Sequence, residues 1–504
     1  MRDLGRTLIA AAERAPGAEA IVDGDVRYSY LEWLDVVLRL RAGLEELGLA
    51  PGDRLATVLT NRWEAAGLHW ACQLAGIVAT PLNWRMKGDE LAFCLDDSGA
   101  RAVVFEEVSA AAADAEIPRI AVGGAKGGTV SFPDLLKAAP APATSRAGAD
   151  DLSVLLYTSG TTGRPKGVPR NHRAERAAAV AHVAQNGYGR GERSLGVMPL
   201  YHTMGVRSLL AMALVDGCFV CQPRFDAAGA VGIIEAERIT CLYLVPTLYH
   251  ALLESGQAAP NRLATATKLG FAGAPMSADL LRRVETAFQP ERFVNHYGSS
   301  EIYTFTVEPR AARKPGSAGK AGLNQRIRVV AMGARDPGVF AAPGVEGEII
   351  ADMASEEAFE GYWNRPDADA KSIVDGWYFT GDIGHFDADG DLFVTGRVDD
   401  MIITGGENVM PGEVEAVLAR HPAIAEVAVA GLADERWGQR VTAFARRAGE
   451  IDEAALDTFC RDSALADFKR PRAYVFVTEI PKSPTGKVLR RKLVAGDYEP
   501  EREV

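Results

Sequence analysis

The sequence predicts an α/β protein with two domains: a large N-terminal body of βα-type sheets that includes a small β unit, and a small α+β C-terminal domain. Strand-like and helix-like segments alternate along the first part of the chain, as in Arg54–Thr60, Trp63–Ala75 and Val78–Pro81. This alternation favours a parallel sheet. After about residue 316 short strands and turns replace it, and a compact α+β stretch follows Asp399. We therefore expect domains at 1–398 and 399–504.

The elements of the body carry local signals of their own. A segment with helical periodicity, Leu31–Leu47, ends at Gly48, and a glycine there is a helix C-cap signal. A looser stretch rich in Ala and Pro, residues 137–149, predicts a surface connection. The strands expected beyond it are Ser153–Tyr157, Ser194–Met198, Gly217–Cys221, Cys241–Val245 and Leu269–Phe271.

The C-terminal part is built from shorter elements. The small β unit is expected at Arg326–Ala331, Gly347–Ala351 and Leu392–Gly396. Pro411–Arg420 predicts a helix, because proline is favoured in the first turn. The strands and helix expected after it are Ile424–Ala430, Val441–Ala445 and Glu453–Cys460.

Composition and charge exclude several classes of protein. Lys and Arg number 55 against 67 Asp and Glu, and the net charge of −12 argues against bulk binding of nucleic acid or anionic lipid. No run of about 18 apolar residues is present, and the N-terminus lacks the apolar core of a secretory signal. Cys218 and Cys221 form a CxxC, but in an apolar segment typical of a buried strand. We expect a reducing, cytoplasmic location without a membrane span.

The strongest candidate for chemistry is the segment from Tyr157 to Gly167, which reads YTSGTTGRPKG. It follows an apolar strand and precedes a helical run. Glycines let backbone N–H groups approach phosphate oxygens, hydroxyls donate further hydrogen bonds, and Lys166 supplies charge. The spacing does not fit the GxxxxGK[ST] pattern of a Walker A loop. The segment therefore predicts a different anion cradle, in a strand–loop–helix context.

This segment resembles the phosphate loop of the AMP-forming acyl-CoA synthetases, the adenylate-forming superfamily. Further motifs of that family follow in its order: PLYH from Pro199, FAGAP from Phe271, NHYGSSE from Asn295, YFTGD from Tyr378, GRVDD from Gly396 and PKSPTGK from Pro481. The resemblance spans nearly the whole chain. Within the superfamily, Gly431–Arg440 and Leu465–Pro471 look most similar to aryl-acid CoA ligases of the 4-chlorobenzoate and benzoate type.

The resemblance implies an ATP-dependent acid–CoA ligase, which adenylates a carboxylate and then transfers the acyl group to coenzyme A. Both steps build charge on phosphate or acyl oxygens, so they need preorganised donors. Asp382 is assigned to the ribose hydroxyls, Tyr297 to the adenine face, and Thr158 and Glu301 to Mg²⁺. The full ATP- and AMP-binding set that the resemblance implies is Thr158, Ser159, Gly160, Thr161, Thr162, Gly163, Lys166, Gly273, Ala274, Pro275, Asn295, His296, Tyr297, Gly298, Ser299, Ser300, Asp382 and Arg397.

Lys487 resembles the catalytic lysine of the family, which contacts the α-phosphate and the attacking carboxylate during adenylation. It lies far along the chain from the phosphate loop, so the C-terminal domain is expected to be mobile and to close over the body. Asp399 resembles the hinge residue of that movement. A second closure would present Gly405 and Gly406, whose exposed backbone leaves room for the pantetheine arm of CoA.

CoA carries a 3′-phosphate and a diphosphate, and its site therefore needs cations. Lys469, Arg470 and Arg472 form a basic cluster in an otherwise acidic chain. Arg85 and Trp437 stand where related aryl-acid ligases use basic and aromatic residues for CoA. A solvated basic turn is the alternative interpretation of the cluster.

The acyl pocket implied by the family is mostly apolar or small, which suits an aromatic, benzoate-like or other apolar cyclic acid. His202 is expected to gate this pocket and, with Lys487 and Glu301, completes the catalytic set. Arg207 is a charge in an apolar segment. It either lies on a polar helix face or meets a second acidic group of the substrate, which would favour a dicarboxylate. The pocket residues are His202, Thr203, Gly205, Arg207, Ala272, Gly273, Ile302 and Tyr303.

Other functions remain open at this level. They are a medium-chain or dicarboxylic acid–CoA ligase, an adenylating enzyme that loads a carrier protein, a luciferase-like oxygenase, and a nucleotide-binding module without catalysis. The basic cluster and Trp437 favour CoA over a carrier protein. The expected partners are a small carboxylic acid, ATP and CoA, with no nucleic acid. Homodimers are common in such ligases, although no interface is readable in the sequence.

Overall fold

The computed structural model describes residues 3–86, 88–158, 164–482 and 488–501. The chain divides into two compact units. Unit 1 comprises Met1–Ile327 with Ala351–Tyr378, and unit 2 comprises Arg328–Ile350 with Phe379–Val504. The boundary expected between residues 398 and 399 stays a prediction.

Helices and strands alternate through the first part of the chain, as the sequence predicts. Up to residue 171 they are α1 (Leu4–Arg14), β1 (Glu19–Asp23), β2 (Val26–Ser29), α2 (Tyr30–Glu46), β3 (Arg54–Val58), α3 (Trp63–Ala75), β4 (Val78–Pro81), α4 (Gly88–Ser98), β5 (Ala100–Phe105), β6 (Arg119–Ala121), β7 (Val130–Ser131), α5 (Phe132–Leu135), β8 (Leu152–Thr158) and β9 (Lys166–Asn171). From residue 172 to 308 they are α6 (His172–Asn186), β10 (Arg193–Gly196), α7 (Thr203–Leu214), β11 (Cys218–Cys221), α8 (Ala227–Ala236), β12 (Cys241–Leu244), α9 (Pro246–Glu254), α10 (Pro260–Leu263), β13 (Lys268–Phe271), α11 (Ala278–Phe288), β14 (Arg292–Tyr297) and β15 (Thr306–Glu308).

The remaining elements are mostly strands until the chain enters its last hundred residues. They are β16 (Ser317–Ala321), β17 (Ile327–Ala331), β18 (Gly347–Asp352), α12 (Pro366–Ser372), β19 (Ile373–Val374), β20 (Trp377–Phe386), β21 (Leu392–Arg397), β22 (Ile402–Thr404), β23 (Glu407–Val409), α13 (Pro411–Leu418), β24 (Ile424–Asp434), β25 (Gly438–Arg447), α14 (Glu453–Arg461), β26 (Ala473–Phe476) and α15 (Arg490–Val494). Short 3₁₀ turns lie at Glu107–Asp114, Val398–Asp400 and Asp467–Lys469.

Two sheets organise unit 1. One runs in the order β16-β15-β14-β13-β12-β10-β11-β1-β2 and is parallel from β14 to β1. The other runs in the order β7-β6-β5-β3-β4-β8-β9 and is parallel except for the pair β8–β9. The expected α/β class is confirmed. Because β13 and β14 are parallel neighbours, the loops that follow them leave from the same edge of the sheet, where α/β proteins place their ligands.

Helix α2 illustrates how local sequence determines an element. Ser29 caps its start: the Ser29 N–H donates to the Glu32 carboxylate at 2.8 Å, as in a capping box. Trp33, Val37 and Leu44 lie on its buried side, at the spacing of a helix with one apolar face. The helix ends just before Gly48, as the sequence predicts.

Unit 2 has two smaller sheets. Strands β17, β18, β20 and β21 form one, and the other runs in the order β23-β22-β25-β24 with β26 beside β25. Helix α13 packs on the second sheet, and its Val414 and Leu418 are buried with Val441 of β25. The second sheet and α13 lie after Asp399, where the sequence predicts a compact α+β stretch.

The CxxC at Cys218 and Cys221 forms β11, a four-residue strand that is buried throughout and lies between β10 and β1. Both thiols are free, and burial raises the pKa of Cys218 to about 12. A thiol with so high a pKa is a poor nucleophile and metal ligand. The core-packing interpretation of this motif is confirmed.

No helix in the part of the chain that the structure describes is both long enough and apolar enough to cross a membrane. The cytoplasmic location, the homodimer and the absence of nucleic-acid binding stay predictions.

Four histidines are buried in unit 1. Burial lowers the pKa of His69 to about 3 and that of His172 to about 4, and it holds the pKa of His182 and His296 well below the ordinary value. These imidazoles are therefore neutral in the folded protein at pH 7 and stay neutral in mild acid.

We expect the free energy of unfolding to decrease as the pH falls below 6.5, because the unfolded chain takes up protons at these histidines and the folded chain does not. Each histidine contributes about 1.4 kcal/mol per pH unit until the pH reaches its folded pKa. Urea unfolding between pH 7.5 and 5 measures this slope. His172→Gln should lower the slope by about 1.4 kcal/mol per pH unit, the contribution of one proton. His250→Gln, which replaces an exposed ring, should leave the slope unchanged. Equal slopes in the two variants would contradict the assignment.

Candidate active site

The residues predicted to bind adenine follow two neighbouring strands. Ala272–Pro275 come directly after β13, and Gly298–Glu301 come directly after β14, so both segments lie at one edge of the sheet. The Asn295 side-chain amide donates to the Ser317 carbonyl at 2.8 Å. The half-buried Tyr297 ring contacts Phe305 at 5.1 Å between centroids. The structure thus brings together the members of this set that it describes.

His296 lies differently from its neighbours on β14. Its ring is buried between His182 and Tyr243, at 5.4 and 5.2 Å, and its Nε2 lies 3.2 Å from the Asn186 amide oxygen. Side chains alternate between the faces of a strand, which places His296 on the opposite face from Tyr297. The expected ATP contact of His296 stays a prediction.

The turn after β14 is closed by backbone contacts. The Ser299 N–H donates to the Ile302 carbonyl at 3.0 Å. A Cβ atom on Gly298 would lie 2.1 Å from the Tyr303 carbonyl oxygen. Glycine is therefore required at this position, because no side chain fits beside the turn.

Glu301 is buried, and a tyrosine holds its carboxylate. The Tyr362 hydroxyl donates to Glu301 Oε1 at 2.7 Å and lies 3.1 Å from the Tyr378 hydroxyl. The Lys166 ammonium lies 4.6 Å from the centroid of the Tyr362 ring. One tyrosine thus contacts both a predicted phosphate-binding cation and a predicted metal-binding carboxylate. Tyr362 itself was not among the predicted site residues, since no motif marks it.

The phosphate loop connects β8 and β9, which pair antiparallel with Thr158 opposite Lys166. Ser159, Gly160, Thr161, Thr162 and Gly163 lie outside the described residues. The expected strand–loop–helix context is wrong, because β9 intervenes before α6 begins at His172. Pro165 and Pro169 explain the difference, since proline lacks the N–H that a helix interior requires.

Behind the Glu301 loop lies a buried ion pair. Arg170 and Glu175 are both fully buried and bonded to each other. The Arg170 guanidinium also donates to the carbonyls of Glu301 and Glu357, at 3.1 and 2.9 Å. These bonds join β9, the N-terminal turn of α6, the Glu301 loop and the segment leading to Tyr362. Sequence reasoning did not identify this pair, which no local pattern marks.

Helix α7 begins after His202, the predicted gate. His202 is half-buried, its ring lies 5.4 Å from Tyr201, and burial lowers its pKa to about 4. A neutral imidazole of this kind can accept or donate a hydrogen bond, and it is uncharged at pH 7. Gly205, in the first turn, packs on backbone: its Cβ would lie 2.2 Å from the Pro199 carbonyl oxygen.

Arg207, also on α7, is buried with 2% of its surface exposed. Of the two alternatives, the polar helix face is therefore wrong, because this face of α7 is buried. Its guanidinium donates to Thr304 Oγ1 at 2.8 Å and to the Tyr243 hydroxyl. Ile302 and Tyr303, also predicted for the acyl pocket, are buried beside this region. A long cation can be buried when neighbouring groups accept its hydrogen bonds, and sequence periodicity does not report such acceptors.

Arg85 and a second arginine, Arg224, lie near the same tryptophan ring. The guanidinium carbons of Arg85 and Arg224 lie 3.8 and 5.0 Å from the centroid of the Trp84 ring. Both arginines are exposed, and neither forms an ion pair within the described ranges. Arg224 was not predicted, because an isolated arginine has no sequence signature of binding.

In unit 2, Asp382 and Arg397 stand opposite each other on β20 and β21. Arg397 Nη1 lies 2.9 Å from Asp382 Oδ1, and both side chains keep partial exposure. The structure therefore pairs Asp382, the carboxylate predicted to bind the ribose, with Arg397, the cation predicted to lie near it.

The predicted CoA residues Gly405, Gly406 and Trp437 also meet. Gly405 and Gly406 form the tight turn between β22 and β23, with φ of +60° and +87°, which only glycine adopts without strain. A Cβ on Gly405 would lie 2.9 Å from the Trp437 ring, which is 38% exposed. Gly405 therefore packs closely on an accessible indole, whereas a Cβ on Gly406 would meet nothing within 4 Å.

The basic cluster is largely neutralised inside unit 2. Lys469 pairs with Glu413 on α13, and Arg470 pairs with Asp457 on α14. Arg472 is exposed and, within the described ranges, forms no ion pair; it donates to the Asp467 carbonyl at 2.9 Å. Arg472 is thus the most available of the three cations.

Comparison with known proteins gives the family. The model of the AMP-binding enzyme family matches residues 8–363, and the model of its C-terminal domain matches residues 413–487. The chain belongs to the AMP-binding enzyme family. The predicted superfamily membership is confirmed.

The relatives of this AMP-binding enzyme differ in the acid that they are named for. It is 35% identical to a 4-chlorobenzoate–CoA ligase of Arthrobacter sp, across 98% of this chain and 95% of the relative. It is 33% identical to the long-chain-fatty-acid–CoA ligase FadD13 of Mycobacterium tuberculosis, across 98% of both chains. Its fold matches the crystal structure of ATP-bound MatB from Rhodopseudomonas palustris, with a TM-score of 0.87 at 29% identity and 98% coverage of both chains.

Two further predicted residues belong to unit 2 of this AMP-binding enzyme. Lys487 lies outside the described residues, which resume at Val488. Lys482 and Val488, the described residues on either side, form an antiparallel β-bridge. Asp399 is exposed in the turn Val398–Asp400. Its hinge role and the catalytic role of Lys487 stay predictions.

We expect Gly298→Ala to lower the free energy of unfolding by about 1–3 kcal/mol, because the added Cβ must displace the Tyr303 backbone. Gly232→Ala is the matched control, since its Cβ would meet nothing within 4 Å on helix α8. That control should raise stability by about 0.5–1 kcal/mol. Urea unfolding of both variants measures the difference. A neutral Gly298→Ala would mean that the turn relaxes freely.

Proposed function

We propose that this chain is an ATP-dependent acid–CoA ligase whose acid carries an aromatic or other apolar ring. It forms an acyl-adenylate and pyrophosphate from a carboxylate and ATP, and then an acyl thioester and AMP from the adenylate and CoA. The observation that carries the proposal is the contact of Tyr362 with both Lys166 and Glu301, which places a cation and a buried carboxylate around one ring.

The carboxylate of Glu301 fits a magnesium ion. Tyr362 holds one carboxylate oxygen and fixes its orientation. Mg²⁺ prefers oxygen ligands and takes only one or two carboxylates from a protein, with phosphates and waters completing its shell. We assign Glu301 to the ion that accompanies ATP, with Thr158 at the edge of the phosphate loop. The ion would neutralise charge on the phosphates.

Adenylation requires charge stabilisation around the α-phosphate. The substrate carboxylate attacks the α-phosphorus, and the bond to pyrophosphate breaks. Lys166 is our candidate for the phosphate loop cation and Lys487 for the cation at the α-phosphate and the attacking oxygen. Asp382 would accept hydrogen bonds from the ribose hydroxyls, because an ionised carboxylate only accepts. Arg397 orients that carboxylate through their ion pair.

Thioester formation requires a site for CoA. The Gly405–Gly406 turn beside Trp437 supplies open backbone and an exposed ring. Arg472 in the same unit supplies a cation for its phosphates. A CoA thiolate then attacks the acyl carbon, and AMP leaves.

An aromatic acid is supported by the rings near the predicted acyl pocket. Tyr243, His182 and His296 lie within 4.7–5.4 Å of one another, and Tyr303 is buried nearby. A ligase named for 4-chlorobenzoate is among the relatives, but so is one named for long-chain fatty acids. A medium-chain or dicarboxylic acid remains the alternative.

Pyrophosphate release with ATP and Mg²⁺ tests this function. We expect multiple turnovers with ring acids when CoA is present, and slow or single-turnover release without it. A panel of benzoates, cyclic acids, fatty acids and dicarboxylates identifies the class. Release that stays at one turnover despite CoA would point to carrier-protein loading instead. No release with any acid would refute the ligase assignment.

We expect Arg472→Ala to raise the KM for CoA about ten-fold, as for the loss of one charge-assisted hydrogen bond, and to leave the KM for ATP unchanged. Arg446→Ala is the matched control, because it removes another partly exposed arginine of unit 2. Steady-state thioester formation measures both constants. Equal KM values for CoA in the two variants would place the CoA phosphates elsewhere.

A further inference from the structure

Three arginines are buried in the part of the chain that the structure describes, and one of them differs from the others. Arg41 pairs with Glu45, and Arg170 pairs with Glu175. Arg207 is equally buried and, among the described residues, has no carboxylate within ion-pair distance. A buried charge without a counter-ion is costly, and such groups are usually paired. Arg207 therefore requires an explanation that the fold alone does not give.

The groups that Arg207 does contact are neutral. Nη1 donates to Thr304 Oγ1 at 2.8 Å and approaches the Tyr303 carbonyl at 3.5 Å, while Nη2 donates to the Tyr243 hydroxyl. Its Nε has no hydrogen-bond partner among the described residues. These contacts position the guanidinium but leave its charge uncompensated.

One carboxylate lies in the vicinity without pairing. Glu357 accepts a bond from the Asn324 amide at 3.2 Å, and its second oxygen has no partner in the described structure. Burial raises the pKa of Glu357, although Arg207 opposes that shift. The pKa values of His182 and His296 are lowered by burial and further by Arg207. The field of Arg207 therefore acts on Glu357, His182 and His296 alike.

Other polar atoms in the region also lack partners. Within the described ranges they include Gln185 Nε2, His182 Nε2 and the Tyr303 hydroxyl. Buried polar atoms are nearly always hydrogen-bonded, so each of these unpartnered atoms calls for an explanation. Most of these atoms can donate, which suits an acceptor.

Helix geometry connects this region to the predicted acyl pocket. Thr203 and Arg207 are four residues apart on α7 and therefore share one face. Thr203 is half-buried and Arg207 is buried, about 6 Å further along the helix axis. This rise is close to the distance between the two carboxyl carbons of a benzene-1,4-dicarboxylate.

We propose that Arg207 binds a second acidic group of the acyl substrate, which makes the preferred substrate a diacid whose two carboxylates lie about one ring length apart. This inference rests on the proposed ligase function and deepens it. The distal carboxylate would receive the Nε hydrogen bond and neutralise the guanidinium. Arg207 acts as a specificity-determining residue and takes no part in the bond changes at the other carboxylate.

Initial rates of thioester formation with matched acids test the proposal. Terephthalate is compared with 4-methylbenzoate, and adipate with hexanoate. We expect kcat/KM for the diacid of at least one pair to exceed that for its monoacid by ten-fold or more. 4-Hydroxybenzoate separates charge from a neutral acceptor, and a preference for it over terephthalate would overturn the proposal.

Variants of Arg207 show whether this side chain causes the preference. Arg207→Met removes the charge at similar length and should abolish or reverse the diacid preference. Arg207→Lys keeps the charge and should retain part of the preference, even if Arg207→Met folds poorly. Glu357→Gln is the control, because it removes the nearby carboxylate and should leave the preference intact.

The possible failures are distinguishable. A wild-type enzyme that prefers the monoacids in both pairs would overturn this inference and leave the ligase function standing. Equal losses for diacids and monoacids in Arg207→Lys and Arg207→Met would overturn it too, since they indicate a purely structural arginine. Absence of pyrophosphate release with every acid would refute the proposed function itself.

Discussion

The buried pair of Arg170 and Glu175 is the interaction on which the candidate site depends. Both side chains are fully buried, and Arg170 donates to the carbonyls of Glu301 and Glu357, which lie 131 and 187 residues away in the sequence. One cation thereby fixes the loop that carries Glu301 and the segment that leads to Tyr362. Removing one partner of such a pair costs roughly 3–5 kcal/mol, because the other charge is left buried alone. The Arg170–Glu175 pair therefore also positions the two residues of the Tyr362–Glu301 hydrogen bond.

Arg170 and Arg207 both lie near Tyr303, with their guanidinium carbons 3.7 and 5.7 Å from its ring centroid, and they differ in what they do. Arg170 is neutralised by Glu175 and stiffens the framework. Among the described residues, the hydrogen-bond partners of Arg207 are neutral, so its positive charge acts on any group that binds in this region. The same field, together with burial, keeps His182 and His296 uncharged. The Arg170–Glu175 pair is rigid and neutral, and Arg207 near it is a cation without a paired carboxylate among the described residues. This arrangement is suited to selecting an anion.

The sequence predicts those features that have a local signature. Apolar runs predict β12 and β13. The motif resemblance implies that Asp382 and Arg397 serve one site, and the structure places them in an ion pair. Features that depend on contacts between segments distant in sequence cannot be predicted from local patterns. Tyr362 holds Glu301 across 61 residues, and nothing near Tyr362 marks that role. The basic cluster likewise suggests three open cations, because the acids that neutralise Lys469 and Arg470 lie on other helices.

That neutralisation changes the physical basis of the proposed CoA site. Lys469 is tied to α13 and Arg470 to α14, so both charges hold unit 2 together. What remains accessible is the Gly405–Gly406 turn, the exposed Trp437 ring with the Arg436 guanidinium carbon 4.7 Å from its centroid, and Arg472. Ring stacking and backbone hydrogen bonds depend on shape and are little affected by salt, whereas exposed ion pairs are screened. In the proposed site, recognition of CoA would therefore depend on the fit of its pantetheine and adenine more than on the number of cations around its phosphates.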